Sequence, residues 1–160
     1  MEFEKRLEKA IERGQRTQRI RQDAEAEQQL GEEELRRLHA QCRSQVVEHI
    51  EACLSKLAAH FPGFRYESIV GDPGWGASIS RDDLILQAGK RSTFFSRLQI
   101  IVRPFSSSRV LELMAKGTIR NKEVYNRNNY RQLTEVDPTS FTELVDLWVL
   151  EYAELFAAAR

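Results

Sequence analysis

Residues 93–120 most constrain the fold, because this segment alternates between apolar and polar side chains on both sides of a short turn. Side chains on a β-strand point alternately to opposite faces, so a period of two predicts a strand with one buried face. The alternation puts Leu98 and Ile100 on the apolar face of a first strand, and Leu111 and Leu113 on that of a second. Because a lone hairpin is only marginally stable, the segment predicts more strands and a helical cover.

Turn-forming residues and shorter alternating runs predict the rest of the sheet. Residues 104–108, a proline followed by a phenylalanine and three serines, are predicted to form the turn of the central hairpin. Alternation over residues 64–70 and 75–80 predicts a preceding hairpin, and residues 123–127 predict a fifth strand. Residues 84–86 are either a short strand or the continuation of the second one.

The N-terminal segment has a helical composition but little to bury. Residues 2–29 are rich in Glu, Lys, Arg, Gln and Ala and contain no proline, which predicts a helix. Such a helix is a solvated arm, a coiled-coil strand that needs a partner, or partly disordered. A basic run from Arg13 to Arg21 precedes an acidic block that begins at Asp23, so two antiparallel copies would bring opposite charges together. Its thin apolar stripe consists of Phe3, Leu7 and Ile11.

Two further helices are predicted. Gly31 interrupts the pattern of the first helix, and a second one is predicted over residues 31–60, ended by the Pro62–Gly63 pair. Its apolar residues recur every three or four positions and therefore lie on one side. A last helix is predicted over residues 138–159, with Asp137 as its N-cap. This helix is far more apolar than a surface helix, so it needs cover on two sides.

These elements predict an α+β fold. An antiparallel sheet of four to five strands packs against the second helix and the long apolar C-terminal helix. Residues 1–30 are predicted to form an extended, charged helical arm, and residues 31–160 the α+β domain. The sequence contains no internal repeat and no low-complexity tract.

Cysteine usage and the N-terminus predict a cytoplasmic protein. Cys42 and Cys53 lie eleven residues apart on one predicted helix, or about 16 Å at helical rise, which is too far for a disulfide. Residues 1–20 are densely charged and lack a signal-peptide pattern. No apolar run approaches the roughly 20 residues needed to cross a bilayer. A reducing compartment and no membrane insertion are expected.

Two histidines and two cysteines recur along the second predicted helix at the spacing of helical metal ligands. Four ligands along one straight helix span about 21 Å and cannot converge on one ion. The cysteines are therefore interpreted as core residues and the histidines as neighbours of the apolar stripe. No phosphate-binding glycine pattern and no activated nucleophile is evident, so we predict no metal, no cofactor and no enzymatic activity. The four residues are His39, Cys42, His49 and Cys53.

Positive charge is concentrated in the predicted sheet. Residues 90–131 contain ten basic and two acidic residues, which gives this segment a net charge of +8. A face that mixes cations and aromatic rings suits single-stranded nucleic acid or an acidic protein, but solvent-facing sheets also carry Lys and Arg for solubility. The residues predicted to bind a partner here are Arg97, Arg103, Lys116, Arg120, Tyr125 and Arg127.

The sequence favours a non-catalytic protein–protein interaction or assembly module over other functions. The partner is predicted to be another protein or a second copy of the chain in a homodimer. One alternative is single-stranded nucleic-acid binding through the basic sheet face. Another is small-ligand binding between the sheet and the last helix, in a pocket lined by Trp75, Tyr125, Trp148 and Tyr152. The residues predicted for self-association are Phe3, Leu7, Ile11, Trp148 and Tyr152.

Overall fold

A computed structural model describes residues 2–159, except for the side chains of residues 27–30. Helix α1 (Glu2–His60) and helix α2 (Pro138–Ala158) stand before and after five strands. The strands pair antiparallel in one sheet, in the order in which they occur along the chain. The predicted α+β fold, an antiparallel sheet with helices packed on it, is confirmed. The strands are β1 (Arg65–Ile69), β2 (Trp75–Gln87), β3 (Lys90–Val102), β4 (Val110–Ile119) and β5 (Lys122–Gln132).

Two-residue turns close two of the hairpins. The β2–β3 turn consists of Ala88 and Gly89, both at positive φ. Positive φ at both residues is typical of a type I′ turn, whose twist matches that of the paired strands. Arg120 and Asn121 close β4–β5 in the same way. The Asn121 side chain also accepts a hydrogen bond of 2.8 Å from the backbone N–H of Phe95. The predicted turn after Val102 is present, and residues 84–86 continue β2.

Residues 38–60 of α1 and helix α2 pack on the same face of the sheet. The strand registers place Ile79, Leu98 and Gly117 side by side across β2, β3 and β4, and Tyr125 follows on β5. Apolar side chains on this face and on the facing sides of the helices form the core, and their removal from water is the main stabilising term. Fully buried members are Ala77, Ile79, Leu98, Ile100, Val102, Leu111 and Leu113 in the sheet, Val46, Ile50 and Leu54 in α1, and Phe141, Val145 and Tyr152 in α2.

Helix α1 is continuous from Glu2 to His60, so the predicted interruption at Gly31 is wrong. A single glycine in a helix interior costs only about 1 kcal/mol relative to alanine, which does not stop a long helix. The chain divides into two compact units with a boundary between Arg37 and Leu38, whereas the sequence suggested a boundary after residue 30. In the first unit, every residue from Glu2 to Ala26 is exposed. The second unit contains the rest of α1, the sheet and α2.

Helix α2 begins as the sequence predicts. The Asp137 side chain accepts a hydrogen bond of 3.1 Å from the backbone N–H of Thr139, and Pro138 occupies the start of the helix, where a missing N–H costs nothing. Across the described residues, neither helix contains a stretch both long and apolar enough to cross a membrane.

Candidate functional site

Three polar side chains meet where α1 and α2 run past one another. His49 and Cys53 are one helical turn apart and project from the same side of α1, and Asp146 approaches them from α2. Nε2 of His49 lies 2.6 Å from Oδ1 of Asp146. Sγ of Cys53 lies 3.4 Å from that same oxygen and 3.5 Å from Nε2. These three residues are called the His–Cys–Asp cluster below.

Burial and hydrogen bonds set the protonation states in the cluster. Burial raises the pKa of the Cys53 thiol to about 11, and its hydrogen bond to Asp146 acts in the same direction. Burial also works to raise the pKa of Asp146, but hydrogen bonds from His49 and Cys53 outweigh it, so that pKa ends below its ordinary value. At neutral pH, therefore, Cys53 is a thiol that donates to an ionised Asp146.

The cluster does not have the geometry of a nucleophilic triad. In such a triad, the histidine contacts the nucleophile through one ring nitrogen and the orienting carboxylate through the other. Here the thiol and the carboxylate both meet Nε2 of His49. The raised pKa of Cys53 also disfavours a thiolate nucleophile. What the arrangement does offer is three potential metal-ligand atoms within 4.8 Å of one another.

A groove of about 490 Å³ adjoins the cluster. Cys53 and Asp146 form part of its wall, and most of the remaining wall is apolar. Leu150 of α2 lines the groove and is 67% exposed. The groove is thus an apolar surface next to a polar cluster. Its other lining residues are Lys56, Leu57, His60, Phe61, Val149 and Ala153.

The structure does not bring together the four α1 residues that have the spacing of metal ligands. Nε2 of His39 lies 3.1 Å from the backbone carbonyl of Arg103, to which it donates a hydrogen bond, and Cys42 is buried in the core. Only His49 and Cys53 enter the cluster. Sequence reasoning missed Asp146, because a sequence does not say which turn of α2 faces α1. The available sequence signal was the separation of four residues between His49 and Cys53.

Three of the predicted partner-binding residues lie on the sheet face opposite the helices. The register pairs Arg97 with Thr118 and Lys116 with Gln99 on that face, where Lys116 is exposed. Arg103 follows β3 on the same side. Its Nε lies 3.4 Å from the Glu112 carboxylate, which offsets part of the positive charge there.

The other three do not lie on that face. Tyr125 is buried under α2 and donates a hydrogen bond of 2.6 Å to Glu151. Its predicted position on the sheet face opposite the helices, called the open sheet face below, is therefore wrong. Arg127 alternates onto the same side, with its guanidinium 4.8 Å from the Tyr125 ring centroid. Arg120 is in the β4–β5 turn, 5.9 Å from the ring centroid of Phe94. The six residues therefore do not form one surface.

The predicted self-association residues divide in the same way. Phe3, Leu7 and Ile11 are exposed on α1. Trp148 and Tyr152 are instead buried within the second unit, so the structure corrects their predicted position at a surface available to a second copy.

The ligand pocket proposed from the sequence is also corrected. Trp75 lies on β2, under the guanidinium of Arg43, and two strands, or about 14 Å of sheet, separate it from Tyr125 on β5. The Tyr125 and Trp148 rings pack edge to face, with centroids 6.5 Å apart. The four aromatic residues therefore do not line one cavity.

No protein-family model, curated protein or solved structure matches this chain. Family membership therefore assigns no role to the His–Cys–Asp cluster or to the exposed helix surface.

Proposed function

We propose that this protein is a non-catalytic assembly module that pairs with a second copy of itself through the first unit of α1. The observation that carries this proposal is the exposure of a helical apolar stripe: Phe3, Leu7 and Ile11 are 74%, 48% and 52% exposed. A long helix with so little of its own to bury gains packing energy only when a partner covers such a stripe. We also infer a cytoplasmic location, because Cys42 and Cys53 are both free thiols.

Charge supports a second copy as the partner. The basic run from Arg13 to Arg21 and the acidic block from Asp23 to Glu34 follow each other directly. Two such helices side by side and antiparallel place each basic run next to an acidic block, while parallel copies in register would oppose like charges. In this antiparallel register the stripe of Phe3, Leu7 and Ile11 lies opposite α1 of the other copy from about residue 34 onward, where Leu35 and Leu38 follow the acidic block. Self-complementary surfaces of this kind are the basis of two-fold symmetric dimers.

The experiment is light scattering of the full chain during size-exclusion chromatography over a dilution series. We expect a dimer that dissociates on dilution. Changing Phe3, Leu7 and Ile11 to serine should produce a monomer that retains the folded second unit. The matched control is serine at Leu84 and Leu86, which are comparably exposed on β2 and should leave the dimer intact. A monomeric wild type at high concentration, or a triple variant that still dimerises, would overturn the proposal.

A second candidate function is binding of single-stranded nucleic acid to the open sheet face. The observation in its favour is that Phe95 and Tyr130, on the same face as Arg97 and Lys116, are exposed aromatic rings. Rings on a basic sheet face stack on bases while cations contact phosphates. A labelled single strand should bind less tightly as salt rises and more weakly to Lys116→Ala and Tyr130→Ala variants. Affinity that is indifferent to both variants would contradict this function.

A further inference from the structure

We propose that His49, Cys53 and Asp146 bind one late first-row divalent cation, with Zn²⁺ as the best match. The cluster supplies an imidazole nitrogen, a sulfur and a carboxylate oxygen, the three ligand types that zinc sites in proteins use. A thiolate disfavours Mg²⁺ and Ca²⁺, which select oxygen ligands. This site is independent of the proposed pairing of α1, which involves other residues.

The distances between the three atoms already approach those of a zinc site. Metal–nitrogen and metal–oxygen bonds of about 2.0 Å and a metal–sulfur bond of about 2.3 Å place tetrahedral ligand atoms about 3.3–3.6 Å apart. The distances from Sγ of Cys53 to Nε2 of His49 and to Oδ1 of Asp146 are 3.5 and 3.4 Å. The third distance, 2.6 Å between Nε2 and Oδ1, belongs to a hydrogen bond. It needs to lengthen by only roughly 0.7 Å to admit an ion.

The ligands come from rigid elements and are accessible. His49 and Cys53 are fixed by one helix at a separation of four residues, and Asp146 lies on a second helix that packs on the same sheet. The side chains of His49 and Asp146 are 34% and 52% exposed, so an ion can reach them from solvent. Because Cys53 and Asp146 also line the apolar groove, water or a ligand atom entering there can take the fourth position.

Charge and protons balance when the ion binds. The S–H bond of Cys53 breaks, a metal–sulfur bond forms, and the proton passes to solvent. His49 binds the ion through an unprotonated Nε2, so in the bound form its ring proton is on Nδ1. One thiolate and one carboxylate then offset the two positive charges of the ion. The bound ion would connect α1 to α2, so it should stabilise the second unit against unfolding.

The test is a titration of the untagged, chelator-treated full chain with Co²⁺, which reports its ligands by absorption. We expect one ion per chain, a thiolate-to-cobalt charge-transfer band and the intense visible bands of a tetrahedral site. Addition of Zn²⁺ should displace cobalt and abolish the bands. Titration with Zn²⁺ should also raise the unfolding temperature.

Variants assign the ligands. Cys53→Ser should abolish the charge-transfer band, and His49→Gln and Asp146→Asn should each weaken binding at least about 10- to 100-fold. Cys42→Ala and His39→Gln are the matched controls, because each removes the same residue type outside the cluster and outside the groove, and both should bind cobalt like the wild type. Circular dichroism of every variant without metal verifies that the fold is retained.

Several results would overturn the proposal. These are the absence of a charge-transfer band in the wild type, a band that survives Cys53→Ser, and a band that is lost in Cys42→Ala while that variant remains folded. In each case the His–Cys–Asp cluster would be a hydrogen-bonded contact between two helices and not a metal site.

Discussion

Tyr152 of α2 lies directly against Gly117 of β4, so close that a Cβ atom at Gly117 would stand 3.0 Å from Cδ2 of the tyrosine ring. The same Cβ would stand 2.8 Å from Cβ of Tyr125 on β5. The Tyr152 hydroxyl continues past the glycine and donates a hydrogen bond of 2.9 Å to the backbone carbonyl of Thr118. The missing side chain at Gly117 is therefore what lets α2 approach the sheet and bury two tyrosines.

The first prediction is that Gly117→Ala destabilises the second unit. The added methyl group meets Tyr125 and Tyr152, both fully packed, so the helix or the strand must shift. Overpacking of this kind costs about 1–3 kcal/mol of unfolding free energy. Urea unfolding followed by tryptophan fluorescence measures it, because Trp148 lies beside Tyr125.

Gly14→Ala is the matched control for this substitution. A Cβ atom at Gly14 meets nothing within 4 Å, and alanine is the better helix former by about 1 kcal/mol. The variant should keep the stability of the second unit and have equal or higher helix content by circular dichroism. Equal stability of Gly117→Ala and wild type would contradict the close contact with Tyr152.

The second prediction concerns high pH. Burial raises the pKa of Tyr125 to about 12 from an ordinary value of 10.0, and its hydrogen bond to Glu151 acts in the same direction. Above pH 10 the unfolded chain loses this proton more readily than the folded chain, so folding stability falls as pH rises toward the folded pKa. Between about pH 9 and pH 11, the wild type should lose about 1 kcal/mol more than Tyr125→Phe. Urea unfolding of both proteins at both pH values measures this difference. An equal loss of unfolding free energy in the wild type and in Tyr125→Phe would contradict the raised pKa of Tyr125.

The third prediction concerns mild acid. Burial lowers the pKa of His39 below its ordinary value of 6.5. The hydrogen bond to the carbonyl of Arg103 raises this pKa by a smaller amount, and the positive charge of Arg43 lowers it further. The unfolded chain therefore binds a proton at a higher pH than the folded chain. The stability that neutral His39 contributes is complete above pH 6.5 and is lost as pH falls through the lower folded pKa.

His39→Gln provides the comparison for this prediction, because glutamine keeps a donor for the carbonyl of Arg103 but does not titrate. Chemical unfolding from about pH 7.5 to about pH 5 should show a smaller loss of stability in the variant. All other titrating groups are common to both proteins, so the difference belongs to His39. A variant that is as acid-sensitive as the wild type would contradict the lowered pKa.

The sheet could be predicted from sequence because its central strands have one clear apolar set. Leu98 and Ile100 alternate with polar residues, and both are fully buried. Strand β5 offers no such contrast, because polar residues occupy both of its alternating sets. Its pairing with β4 is also irregular at Val124, opposite the junction of Gly117 and Thr118. The face that Tyr125 occupies therefore depends on pairing and on its contact with α2, which sequence alternation does not contain.

The candidate site could be predicted only in part for a related reason. Two of its three groups, His49 and Cys53, lie on one helix at a fixed spacing, which is local information. The third, Asp146, depends on how α2 is placed beside α1, and that placement follows from the fit of Tyr152 over Gly117 and from other long-range contacts. Residues brought together by packing between distant elements leave no spacing to recognise.

The last prediction concerns the charges of the first unit. If basic runs and acidic blocks of two copies lie side by side, the dimer dissociation constant should rise with salt, because the screening length falls from about 30 Å at 0.01 M to about 3 Å at 1 M. Replacing Arg16 and Arg19 with glutamate should weaken the dimer at low salt and leave helix content unchanged, because both residue types are good helix formers. Glutamate at Lys90 and Arg91, which are exposed on β3, makes the same charge change in the second unit and should leave the dimer unaffected. Equal weakening by both pairs in sedimentation experiments would mean that net charge, and not the pattern along α1, controls association.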